Sequence, residues 1–99
     1  MLRSDALHAA RHAAKRCGYA LAVHGSQVKD FDWVAIPWTD EADGPDLLVE
    51  SIARSVDALL VKEPTDKPHG RRAWSIHIAH TNGRDPWYID LSVMPRVSE

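Results

Sequence analysis

A single cysteine, Cys17, is the entire thiol content of this 99-residue chain. That excludes an internal disulfide framework and any multi-cysteine zinc site, and it points to a reducing compartment, the cytoplasm. No apolar run approaches the roughly 18 residues of a membrane-spanning helix. The first twenty residues interleave Ala with His, Arg and Lys instead of forming the continuous apolar core of a secretory signal. Charge of one sign is not in excess either. Twelve Lys and Arg oppose fourteen Asp and Glu, a formal net charge of −2, so overall electrostatics indicate neither nucleic acid nor an anionic membrane as partner. Five Gly and six Pro are ordinary usage and remove collagen-like and low-complexity readings. What is present, 44% hydrophobic and 26% charged residues, is a globular balance, and the length suits one domain over 1–99.

Ser4 is placed to cap a helix over about Asp5 to Cys17. Ala6, Ala9, Ala10, Ala13 and Cys17 recur at helical spacing, and Gly18 is suited to its left-handed end. The other side carries His8, Arg11, His12, Lys15 and Arg16, a solvated cationic stripe. Tyr19 to Val23, bounded by Gly18 and Gly25, reads as a short buried strand, and Asp30 to Trp38 as a second, its hairpin neighbour. After the polar turn Asp40 to Gly44, Pro45 opens a second helix with Leu48, Ile52, Val56 and Leu60 on one stripe, ending before Pro64. Glu63 to Arg72 then reads as a surface loop. In Trp74-Ser75-Ile76-His77-Ile78 and Tyr88-Ile89-Asp90-Leu91-Ser92-Val93 apolar and polar residues alternate, and Asn82-Gly83 marks the turn of a hairpin between them. The expected fold is a single α+β domain: two helices on one face of a mixed, mostly antiparallel four-stranded sheet, in the order helix, strand, strand, helix, strand, strand.

Chemistry concentrates in His24-Gly25-Ser26-Gln27-Val28-Lys29-Asp30-Phe31-Asp32. Carboxylates one residue apart on a strand project from the same face, so Asp30 and Asp32 stand side by side and call for a cation. Hard divalent ions such as Mg²⁺ take such oxygens and keep coordination sites for phosphate. Asp90 is the natural third ligand, because Ile89 and Leu91 face the core and send it to the opposite side. A second reading remains open: Asp30 only starts a strand, and Asp32 pairs with Arg71 or Arg72.

Gly25-Ser26, Asp30-Phe31-Asp32 and Asp90 together resemble the nucleotidyltransferase superfamily. The chain is also similar to a group of small phage and prophage proteins through His24-Gly25-Ser26, Asp30-x-Asp32 with Pro37-Trp38, Lys67-Pro68-His69-Gly70-Arg71 and Asp90-Leu91-Ser92-Val93-Met94-Pro95. The resemblance implies a nucleotidyltransferase-like fold and Mg²⁺-dependent transfer of a nucleoside monophosphate from a nucleoside triphosphate to a hydroxyl acceptor. It assigns metal binding to Asp30, Asp32 and Asp90, with Asp90 also activating the acceptor. Gly25 and Ser26 would contact phosphate, and Lys29 or Arg71 would neutralise the leaving pyrophosphate. In one respect the chain departs from the family. Only Gln27, Val28 and Lys29 separate Ser26 from Asp30, too few for the helix whose N-terminus would cradle phosphate. That spacing favours the alternative, a catalytically inactive phage or prophage accessory module acting as a homodimer or with a separate helical partner protein.

The remaining reactive side chains have plainer readings. His8 and His12 have the spacing of helical metal ligands but share a face with Lys and Arg, as solvated residues do. His24, His69 and His77 are read singly as hydrogen-bonded structural residues, although they would serve a phosphate site if they converged. Cys17, on the apolar stripe, reads as a buried inert thiol. Trp33, Trp38, Trp74 and Trp87 read as packing residues, with Trp38 the one to test for partner contact. Lys67, His69, Arg71 and Arg72 form a basic loop that either clamps phosphate or is merely solvated.

Overall fold

The computed structural model describes residues 3–24, 31–78 and 87–95. Helix α1 (Arg3–Arg16) leads into strands β1 (Tyr19–His24) and β2 (Phe31–Pro37); helix α2 (Pro45–Ser55) follows, then β3 (Leu60–Asp66), a short 3₁₀ turn (Pro68–Gly70), β4 (Arg72–Ile78) and β5 (Trp87–Val93). The strands form one sheet in the order β1-β2-β5-β4-β3. The β1–β2, β3–β4 and β4–β5 pairs are antiparallel, and β2–β5 is parallel. This is an α+β domain with a mixed, mostly antiparallel sheet. None of its described helices is long and apolar enough to cross a membrane.

Side-chain alternation sets the layers. Tyr19, Leu21, Trp33, Ala35, Trp74, Ile76, Ile78, Ile89, Leu91 and Val93 are buried on one face of the sheet and share one core with Ala6, Ala10, Ala13 and Ala14 of α1 and Leu48, Val49 and Ile52 of α2. The small alanine stripe lets α1 pack closely against α2 and β1. Cys17 is buried where the two helices meet, its thiol 3.5 Å from Ser51 Oγ, in keeping with an inert packing residue. Trp33 and Trp74 lie in the core and Trp38 is exposed.

Gly18 joins α1 to β1 at φ +90°, and a Cβ there would stand 2.9 Å from Ala42 Cα. Glycine is therefore required both by the backbone conformation and by the close approach of the 39–43 segment. That segment is held by Asp43 N–H donating to Cys17 O (2.8 Å) and Tyr19 Oη donating to Asp43 O (2.7 Å). Gly44 caps α2 through its backbone alone, and Pro45 occupies the first turn, where its missing N–H costs nothing.

Among the described residues the sheet has five strands rather than the expected four. Helix α2 ends at Ser55, and Asp57 turns the chain at φ 55°, a left-handed conformation that Asp tolerates better than most residues. Leu59 N–H then donates to His77 O, and Leu60 to Asp66 pair with β4. Leu60 is thus the first residue of β3, 51% exposed, and not the last of a helical stripe. The stretch read as a loop from Glu63 is mostly strand and 3₁₀ turn. Its sequence conceals the strand because β3 is held by main-chain pairing and buries almost no side chain. Pro64 sits within the register shift between Lys62 and Thr65 on this outer strand, one of the few places a sheet admits proline.

Candidate functional site

Across the face opposite the helices, the strand registers align one row of residues. Asp32 pairs with Asp90, Asp90 with Ser75, and Ser75 with Lys62. Adjacent members of such a row are about 5 Å apart. Asp32 and Asp90 are therefore direct neighbours on the parallel β2–β5 pair, both half-buried. They are fixed there because Trp33, Ile89 and Leu91 on the same strands are anchored in the core. Two carboxylates at that strand spacing would repel by about 1 kcal/mol in bulk water, and a cation between them would relieve the repulsion. Among the described residues no hydrogen bond or ion pair reaches the Asp32 carboxylate. The open alternative therefore narrows, because Arg72 is engaged with Asp66 at 3.1 Å.

Two adjoining hollows meet at this pair. One, of about 200 Å³, is lined by Asp32, Trp33, Val34, Arg71, Asp90 and Ser92. The other, of about 340 Å³, shares Asp32, Asp90 and Ser92 and extends to Lys62, Glu63, Thr65, Lys67 and Ser75. The hollows thus set three cations, Lys62, Lys67 and Arg71, and one further acid, Glu63, around the acidic pair, and together they reach the size of small-molecule sites, about 300–1,000 Å³. Arg71 Nε donates weakly to Pro68 O at 3.4 Å, which holds the guanidinium near the end of the 3₁₀ turn. Beside this row a hydrogen bond of 3.1 Å joins Ser75 Oγ and His77 Nε2, and the His77 ring stacks on Tyr88.

Of the residues expected from sequence, Asp32, Asp90 and Arg71 come together. Gly25, Ser26, Lys29 and Asp30 lie outside the described residues, as does the Asn82-Gly83 turn. Among the described residues no group of three or more His, Cys, Asp and Glu side chains converges in a way that would hold a metal ion. His8 and His12 meet edge to face at 4.7 Å on the exposed side of α1, and His69 is exposed on the 3₁₀ turn at φ 67°. Sequence reasoning missed Lys62, because a residue read as the tail of a helix has no register with Asp90. The available signal was the pair Lys62-Glu63 before Pro64, a composition that suits a charged outer strand.

A larger hollow, about 560 Å³, opens on the helix side between α2 and β3, floored by Val49, Ala53 and Trp74 with Asp46, Glu50 and Asp57 around it. Arg54 also lines it and pairs with Glu50 at 2.6 Å. No protein-family model and no curated protein matches the chain.

Proposed function

We propose that the chain is a minimal nucleotidyltransferase-like protein whose Asp32–Asp90 pair binds a divalent cation for transfer of a nucleoside monophosphate to a hydroxyl acceptor. The observation that carries the reading is the direct register of Asp32 with Asp90 on neighbouring parallel strands, on a face that also presents Lys62, Lys67 and Arg71. The donor chemistry fits Mg²⁺, which prefers carboxylate oxygens and retains water or phosphate oxygens. When bound, Mg²⁺ would supply charge neutralisation at phosphate and a more acidic acceptor hydroxyl. Asp32 and Asp90, with Asp30 as the third acid, would hold it. Lys62, Lys67 and Arg71 would bind and orient the triphosphate and offset charge on the departing pyrophosphate. Gly25-Ser26 and Lys29 would add phosphate contacts. Asp90, on the central strand β5, would accept the acceptor's proton.

The three residues between Ser26 and Asp30 favour a second reading, a site that binds metal without catalysis in a phage accessory module working with a helical protein or a second copy. Nucleotide affinity separates the two. Weak binding is expected, with Kd at or above the high-micromolar range, about −5 kcal/mol. Thermal unfolding with millimolar Mg²⁺ or Mn²⁺, followed by calorimetry with each of the four nucleoside triphosphates, tests both. Metal at ten times its Kd stabilises by about 1.4 kcal/mol, roughly 6–11 °C. Such a shift in wild type but not in Asp32→Ala supports the site. Triphosphate binding lost in the same variant supports transfer, and metal binding without triphosphate binding supports the inactive module.

A further inference from the structure

The two outer strands of the sheet differ in kind. Strand β3 carries Lys62, Glu63, Pro64 and a register shift, all features that discourage pairing with another chain. Strand β1, Tyr-Ala-Leu-Ala-Val-His over Tyr19–His24, has neither proline nor a register break. Trp38 N–H donates to Gly18 O, one step beyond the Tyr19–Pro37 pair that ends the ladder. By the alternation of an antiparallel ladder, Ala20 and Ala22 then spend their main-chain groups on β2, while Leu21 and Val23 direct theirs to the outer side.

Arg11 stands over that side. Its Nε donates to Leu21 O at 3.3 Å, which confirms where the carbonyl points. The terminal guanidinium nitrogens have no partner among the described residues. His8 and Lys15 lie one turn before and after Arg11 on the same exposed stripe of α1. On the opposite face of the sheet, Ala20, Ala22 and Ile36 are exposed. A strand added beside β1 would therefore meet cations on its helix side and an apolar surface on its other side. A second copy of this chain is a poor occupant, because antiparallel β1–β1 pairing brings two cationic α1 stripes together.

We propose that the outer edge of β1, with the His8-Arg11-Lys15 stripe of α1, binds an extended segment of a partner protein in which acidic and apolar residues alternate. Main-chain pairing to Leu21 N–H and to Val23 N–H and O supplies affinity, with Leu21 O, which already accepts from Arg11, taking the partner's N–H through its second lone pair; acidic side chains meet Arg11 and Lys15, and apolar ones continue the Ala20-Ala22-Ile36 surface. This surface lies on α1, β1 and the Ile36 end of β2, apart from Arg71, Lys62 and Asp90, and does not depend on nucleotidyl transfer.

The probe is a fluorescein-labelled eight-residue peptide alternating Glu with Val, read by anisotropy against the full chain, with a Lys-for-Glu peptide as counterpart. The expected result is saturable binding of the Glu peptide, at least about tenfold weaker at 300 than at 50 mM NaCl, and no binding of the Lys peptide. Val23→Pro removes an outward N–H without breaking the β1–β2 ladder, and the Arg11→Glu/Lys15→Glu double variant reverses the charge. Each should weaken binding about tenfold or more while far-ultraviolet circular dichroism stays that of wild type. The double variant decides alone if Val23→Pro does not fold. No binding of the Glu peptide, equal binding of both peptides, or a concentration-dependent dimer in sedimentation that excludes the peptide would each overturn the proposal.

Discussion

Truncating two leucines that the sequence treats alike should produce unlike results. Leu91 is fully buried on β5, with Trp33 as its register partner on one side and Trp74 on the other. Leu60 opens the outer strand β3 at 51% exposure. Leu91→Ala removes buried methyl groups between two rigid indoles that close poorly over the gap, so the loss is transfer plus cavity, about 2–5 kcal/mol. For a domain of this size, with about 5–15 kcal/mol of total stability, that lowers Tm by roughly 10–30 °C. Leu60→Ala leaves no enclosed cavity and should cost below about 1 kcal/mol. Urea unfolding of both variants, followed by tryptophan fluorescence, gives the comparison directly. A Leu60→Ala loss equal to that of Leu91→Ala would refute the strand assignment and restore Leu60 to the apolar stripe of α2. A Leu91→Ala variant as stable as wild type would refute the β4–β5 register and, with it, the placement of Asp90.

Gly18→Ala should destabilise by on the order of 2–4 kcal/mol, since it forces a side chain into a positive φ and a Cβ against the Ala42 backbone; thermal denaturation measures it. Tyr19→Phe deletes the bond to Asp43 O while keeping the ring and should cost about 1 kcal/mol in the same assay. Asp32→Asn removes one of two neighbouring like charges. Without added metal it should be as stable as wild type or up to about 1 kcal/mol more so, and it should lose the stabilisation by Mg²⁺ seen in wild type. Arg72→Ala breaks an exposed pair with Asp66 and should change urea stability by less than about 1 kcal/mol.

Periodicity made most of the core legible. Ile76, Ile78, Ile89 and Leu91 alternate with polar residues, and all four are buried; Ala6, Ala10, Ala13 and Cys17 of the expected stripe are buried too, whereas Ala9 is half-buried and Ala14 joins the core instead. Strand β3 was not legible, because its order comes from main-chain pairing with β4 and only Val61 among its side chains is half-buried. Nor was the end of α2, since a left-handed Asp57 carries no stronger mark in sequence than any turn-forming Asp. For the candidate site, alternation placed Asp90 on the polar face. That Asp32 and Asp90 are immediate neighbours depends on the parallel β2–β5 pairing, a long-range arrangement that local patterning does not encode. Lys62 joins the same row only through β3, so it escaped with that strand.

If Asp32 and Asp90 share a divalent cation, paramagnetic relaxation by Mn²⁺ reports that sharing residue by residue. In ¹H–¹⁵N spectra of the full chain at sub-stoichiometric Mn²⁺, broadening should centre on the amides of Asp32, Trp33, Asp90 and Leu91. It should be reversed by excess Mg²⁺ and be absent from Asp32→Asn. Broadening that centres elsewhere, or that persists unchanged in Asp32→Asn, would contradict that sharing.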